Sequence, residues 1–158
     1  MTTFDARDEA FMRLALEEAR LALLTADVPI GAVAVLGDEV IGRGHNRREA
    51  DQDPTAHAEM LALRAAAQVI GHWRLNEVTL YCTLEPCAMC AGAMVLARVS
   101  RLVYAAADPK AGMGGSLLNL LDYPPLNHAV RVERGLLADE AGELIRNFFR
   151  ELRAQGQK

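Results

Sequence analysis

The chain has 158 residues, 51 % apolar and 24 % charged, with a formal net charge of −4 and three cysteines. That composition suits one globular domain spanning 1–158, able to bury roughly 70 % of its unfolded surface, and no apolar run approaches the roughly 18 residues needed to cross a bilayer. An odd cysteine count excludes a fully paired disulfide framework, while acids interrupt the apolar N-terminal stretch that a secretion signal needs, so a cytoplasmic, non-membrane protein is expected.

In chain order, Phe11, Leu14, Ala15, Ala22 and Leu23 recur at helical spacing between charges and predict a helix over 5–26. "VPIGAVAVLGDEVIGRGHN" reads as a hairpin turning at Gly37 and Asp38, its second strand ending near Asn46. The polar 46–55 stretch is a loop, and Thr55 is placed to cap a helix over 56–70, which puts His57 in the first turn. "EVTLYCT" predicts a buried strand on which Cys82 alternates with Thr79 and Tyr81. Pro86 takes the first position of a helix running to Ala97, with Cys87 and Cys90 in its first turn.

"RLVYAA" is a further strand, "DPKAGMGGS" a glycine-rich loop, "SLLNLL" a short helix and "HAVRVERG" a last strand. The C-terminal helix carries one apolar stripe of Leu144, Ile145, Phe148, Phe149 and Leu152 beside a face of Arg146, Arg150 and Arg153. Charge is polarised along the chain: residues 1–27 hold three arginines against six acids, whereas residues 143–158 hold four cations, Lys158 among them, against two acids. Strands alternating with helices imply a layered α/β fold with helices over a central sheet.

The chemistry concentrates in "HAE" at 57–59 and "PCAMC" at 86–90. A Cys-x-x-Cys pair serves either as a redox couple or as half of a metal site. Redox pairs of the thioredoxin kind follow the first strand of a βαβ unit, and this pair comes late in the chain, which favours metal. Zinc with two thiolates needs a third protein ligand and, when catalytic, leaves a fourth position open. His45, His72 and His128 read as solvated loop histidines, so His57 is the candidate. Helix N-termini stabilise thiolate and carboxylate charge, and Glu59, two positions on, is placed to move protons beside the metal rather than bind it. A structural zinc clip completed by Cys82 or another histidine remains open, as does a non-catalytic zinc module that binds RNA or protein. Cys82 reads more simply as core.

These motifs, together with "VPIGAVAV", "GHNR", "TLEPCAMCAGAM", "LNHAV" and "ADEAGELIRNFFR", resemble the zinc-dependent cytidine deaminase superfamily and within it the bacterial tRNA-specific adenosine deaminases of the TadA type. H-x-E with P-C-x-x-C is the signature of zinc nucleobase deaminases. The resemblance covers nearly the whole chain. It implies a cytidine-deaminase-like three-layer α/β/α fold with a five-stranded mixed sheet, and a homodimer holding one Zn2+ per subunit on His57, Cys87 and Cys90. It further implies hydrolytic conversion of adenosine to inosine at the wobble position of a tRNA anticodon, typically of an arginine tRNA, by zinc-activated water with Glu59 as proton shuttle. Asn46 then contacts the base, Ile30 and Leu84 form apolar pocket walls, and Asp108 meets neighbouring nucleotides. Phe149 either stacks in the anticodon loop or packs in the core. His45 and Pro109 depart from the family pattern near the RNA surface. The same two motifs also fit a deaminase of free guanine, cytosine or a nucleoside.

Overall fold

The computed structural model describes residues 3–157; Lys158, counted above among the C-terminal cations, lies outside them. The elements in order are α1 (Ala6–Leu21), a 3-10 turn (Ala22–Thr25), β1 (Gly31–Leu36), β2 (Glu39–His45), α2 (Arg48–Asp51), α3 (Ala58–Ile70), β3 (Val78–Leu84), α4 (Ala88–Leu96), β4 (Arg101–Ala106), a 3-10 turn (Leu120–Asp122), β5 (Arg131–Arg134) and α5 (Ala138–Ala154). The five strands form one mixed sheet in the order β2-β1-β3-β4-β5. β1 pairs antiparallel with β2 and β3, whereas β3, β4 and β5 run parallel.

Alternation along the strands divides the core into two layers, because successive side chains leave a strand on opposite faces. Ala32, Ala34, Leu80, Cys82, Leu102 and Tyr104 face α3 and α4, whereas Val33, Val35, Tyr81, Val103 and Ala105 face α1 and α5. This is the α/β/α arrangement that the resemblance implies. Small side chains let α3 lie almost flush on the sheet: Ala58, Ala62 and Ala66 are buried there. Opposite them, a Cβ on Gly42 or Gly44 would come within 2.3 Å of the Ala62 or Ala58 carbonyl oxygen. The close approach fixes the helix, and with it the N-terminus that carries His57.

Four local expectations change. Thr55 does not cap α3, because its hydroxyl and N–H are both taken by the Asp53 carboxylate at 2.7 and 2.8 Å; His57 is the N-cap instead. Cys87 is likewise the N-cap of α4, so Pro86 stands just outside the helix rather than at its first position. The loop after Asn46 contains the short α2, held by the buried Asp27 carboxylate, which accepts from the Glu49 and Ala50 N–H groups. The "SLLNLL" segment forms only the 3-10 turn, with Gly114 and Asn119 bridged across its start. In the C-terminal stripe Leu144, Ile145, Phe148 and Leu152 are partly buried and Phe149 is exposed, while Ala141 is the one fully buried residue of α5.

At the end of the sheet remote from the loops after β3 and β4, Arg101 joins α1 to β5. It donates to Asp8 at 2.8 and 3.1 Å and to Glu133 at 2.8 and 3.1 Å, and Tyr81 adds a hydroxyl bond to Asp8 at 2.7 Å. The Arg101 hydrogen bond pulls the Asp8 carboxyl from its ordinary 3.8 to about 2, against the opposing effect of burial. A depressed carboxyl stabilises the fold fully above its unfolded value and loses that stabilisation as pH falls through the folded value. The Asp8 contribution, about 2 kcal/mol, is therefore present above pH ~4 and about half gone by pH ~3. Urea titrations should show wild-type stability falling by about 1 kcal/mol more than that of Asp8→Asn between pH ~5 and ~3. Parallel losses in the two proteins would contradict this.

Candidate active site

The segment that leads into β1 and the loops that leave β2, β3 and β4 at one end of the sheet, together with α5, enclose a cavity of about 600 Å³. It opens beyond the carboxyl ends of the parallel strands, where ligands of open α/β sheets commonly bind. His57, Glu59 and Cys87 line it; Cys90 stands behind them, fully buried. The two helix N-termini converge so that Nδ1 of His57 lies 3.6 Å from the Sγ atoms of both Cys87 and Cys90. All three donor atoms fall within 4.8 Å of one another, a group able to hold a metal ion.

The reason for the convergence is local. As an N-cap, His57 has extended backbone torsions and makes no side-chain cap bond, so its ring is free to face the sulfurs. Cys87 and Cys90 stand one turn apart on α4, on the same side of the helix. A hydrogen bond from the Cys90 thiol holds the Cys87 thiol down at about 3 against burial, and His57 adds to the effect. Cys90 is pushed up in turn by its bond to Cys87 and by burial, and the contact with Cys87 raises His57. Negative charge thus gathers at one point next to an imidazole, and a cation seated there would relieve the strain on all three groups.

Glu59, in the first turn of α3, is 4 % exposed, and burial raises its pKa. Its Oε2 lies 3.4 Å from the Cys90 Sγ. Cys82 is packed in the core between the sheet and α3, where burial drives its thiol pKa well up, and it does not belong to the donor group. The other histidines are less solvated than expected. His45 pairs with Glu18 at 3.4 Å, His128 meets the Val99 carbonyl at 2.7 Å, and only His72 is exposed, stacked on Trp73.

Every residue predicted to contact substrate lines the cavity: Ile30, Asn46, Leu84, Asp108 and Phe149. Two of them have prior commitments. The Asn46 amide donates to Val28 O at 3.2 Å and accepts from Arg48 N–H at 3.1 Å, so one N–H and one lone pair remain for a ligand. Those partners also fix which end of the amide is which. Asp108 accepts from the Lys110 and Ala111 N–H groups at 3.0 and 3.2 Å through one oxygen. Phe149 is 40 % exposed and meets Phe148 edge-on at 5.3 Å, so it belongs to the cavity rim and not to the core.

The sequence reading missed Arg48 and Lys110 as cavity residues and placed Arg146 only on a basic helix face offered to the anticodon loop; all three are exposed and line the cavity. No spacing links them, since α2, the loop after β4 and α5 each supply one. In a chain of net charge −4 they make the mouth of the cavity locally cationic. Glu85 was also missed, although it precedes the P-C-x-x-C element directly.

A family model of MafB19-like deaminases matches residues 6–153. The tRNA-specific adenosine deaminase of Bacillus subtilis (strain 168) is 50 % identical over 147 residues, covering 93 % of this chain and 91 % of its own length. A solved structure from a study of A-to-I editing by tRNA:A34 deaminases at the wobble position of transfer RNA superposes with a TM-score of 0.82 at 47 % identity, covering 85 % of this chain and 98 % of the other. Guanine deaminase from Nitrosomonas europaea shares the fold at 27 % identity and a TM-score of 0.77, covering 94 % of this chain and 86 % of its own. Identity at this level across nearly the whole chain settles the relationship: the chain belongs to the MafB19-like deaminase family, in which its similarity is to the tRNA-specific adenosine deaminases.

Proposed function

We propose that this chain hydrolyses adenosine to inosine at the wobble position of a tRNA anticodon, typically of an arginine tRNA, as a single catalytic domain spanning 1–158 in a cytoplasmic homodimer. One observation carries the reading above all: a His-Cys-Cys donor group with a buried glutamate beside it, at the floor of a cavity whose mouth is cationic. The 50 % identity to a tRNA-specific adenosine deaminase selects adenosine in RNA over a free base. Exposed Leu96, Leu117, Leu118, Tyr123 and Leu126, on and after α4, offer apolar surface for a second copy.

What supports zinc is the fit of the donors. Bonds of about 2.0–2.1 Å to nitrogen and about 2.3 Å to sulfur at tetrahedral angles separate N from S by about 3.6 Å, and both Sγ to Nδ1 distances have that value. His57, Cys87 and Cys90 would hold one ion per subunit. Zinc bound there supplies a Lewis acid that brings the pKa of water to about 7.

The protein's own groups do the rest. Glu59, whose burial raises its affinity for a proton, accepts one from water at a carboxylate oxygen and delivers it to ring nitrogen one. It then takes up the second proton of the same water and passes it to the departing amino nitrogen, so that carbon six gains the oxygen of water and loses ammonia. Asn46 aligns the purine edge with its free N–H and lone pair, while Ile30 and Leu84 flank the ring and exclude water. Phe149 stacks against a flanking base, Asp108 meets a neighbouring nucleotide, and Arg48, Lys110 and Arg146 take phosphates.

Purified protein should release ammonia and form inosine from an anticodon stem-loop bearing wobble adenosine, measured by nucleoside chromatography. Turnover of free guanine with none of this RNA would overturn the reading.

A further inference from the structure

Residues 107–111 of the glycine-rich segment 107–116 form one wall of the cavity, and one side chain holds that segment. Glu85 is 2 % exposed and accepts four hydrogen bonds, all from this segment. Its Oε1 accepts from Asp108 N–H at 3.0 Å and from the Ser116 hydroxyl; its Oε2 accepts from Gly114 N–H at 2.9 Å and Ser116 N–H at 3.0 Å. A carboxylate offers about four acceptor sites, so none is left over for a substrate.

The wrap is tight. A Cβ on Gly112 would lie 2.3 Å from the Glu85 carboxyl carbon, and one on Gly114 would lie 3.1 Å from the Tyr104 ring. Glycine at 112 therefore admits the carboxylate rather than merely making a turn. Backbone bonds flank the anchor: Glu85 N–H donates to Ala106 O at 2.8 Å, and Met113 N–H donates to Pro86 O at 2.9 Å. The same short stretch that ends in Cys87 thus grips the loop carrying Asp108 and Lys110.

We propose that Glu85 is a positioning residue that sets the substrate affinity of this pocket, by fixing the wall of Asp108 and Lys110 at a set distance from His57 and Cys87. The inference rests on the cavity being the nucleotide pocket described above. Glu85 acts through the loop, whereas the groups that touch the reacting atoms stand on α3 and α4. Losing interactions made equally in ground and transition states raises KM and leaves kcat.

Two variants test this. Glu85→Gln replaces an acceptor with an amide that donates toward N–H groups, and Ser116→Ala removes one bond without a change of charge. For the anticodon stem-loop, Glu85→Gln should raise KM by about 10-fold or more and keep kcat within about 3-fold; Ser116→Ala should move KM the same way by less. Metal content should stay at the wild-type level, and trypsin should cut faster after Lys110 in both. A fall in kcat at constant KM, or loss of metal from Ser116→Ala, would assign the anchor to the metal helix and overturn the proposal. So would faster cleavage with KM unchanged. If Glu85→Gln fails to fold, Ser116→Ala decides alone. A wild-type protein inactive on the RNA would overturn the functional reading and this inference with it, whereas an active wild type with no KM rise in the variants would overturn only the inference.

Discussion

Replacing Glu59 by glutamine should abolish almost all inosine formation while leaving metal content and RNA affinity close to wild type. The carboxyl is buried in the first turn of α3, beside the donor group, and the amide is nearly isosteric, so packing should survive. What the amide cannot do is hold and release a proton. A positioned acid or base contributes about 10²–10⁴-fold, and Glu59 serves two transfers in one turnover. A loss of kcat near the top of that range is expected, about 10³-fold or more. Single-turnover assays, with zinc and RNA binding measured on the same sample, separate this from misfolding. A variant within a few-fold of wild-type kcat would remove Glu59 from the mechanism.

The second large effect is expected at Cys87. Its thiol is the one held down at about 3, so it presents a thiolate at neutral pH. Cys87→Ala should lower bound zinc from about one per subunit to a small fraction of that, because two donors cannot complete the site. A metal held at ~1,000 times its Kd stabilises the fold by about 4 kcal/mol. Losing it should lower Tm by roughly 8–16 °C in a chain of this length. Chelation of the wild type should reproduce the shift. Cys82→Ala is the control, since Cys82 is a core residue outside the donor group and its loss should leave zinc in place. Zinc lost from Cys82→Ala as well as from Cys87→Ala would instead support the structural clip.

Much of the site was legible because its signals are short-range. Cys87 and Cys90 are one turn apart on any helix that starts beside them, and His57 stands two residues from Glu59. Alternation placed Cys82 in the core, since Val78 and Leu80 share its face of β3. Helix starts were harder to place. Thr55 is an ordinary capping residue, but Asp53 two positions earlier captures its hydroxyl and N–H, and the cap passes to His57. That competition is between two nearby side chains, and composition does not decide it.

Long-range groups were illegible for a different reason. Arg48, Lys110 and Arg146 carry no mutual spacing, and they meet only because the loops after β2 and β4 share one end of the sheet with α5. Asn46 was assigned to the base through the family resemblance, with an amide that suits a purine edge, yet half of that amide's capacity goes to Val28 and Arg48. Gly112 was read only as part of a glycine-rich loop, whereas its missing side chain makes room for Glu85, 27 residues earlier in "TLEPC".

By itself, then, the sequence determined the identity of the donors, the helices that present them and the α/β layering. Those follow from i, i+3 spacing and two-residue alternation, which depend on the local chain alone. Only the tertiary structure decided that the two helix N-termini point at one another, that three distant cations ring the mouth, and that the glycine-rich loop closes around a buried carboxylate. Each depends on the order and direction of strands in the sheet, and such contacts between residues far apart in the chain leave no periodic trace in it.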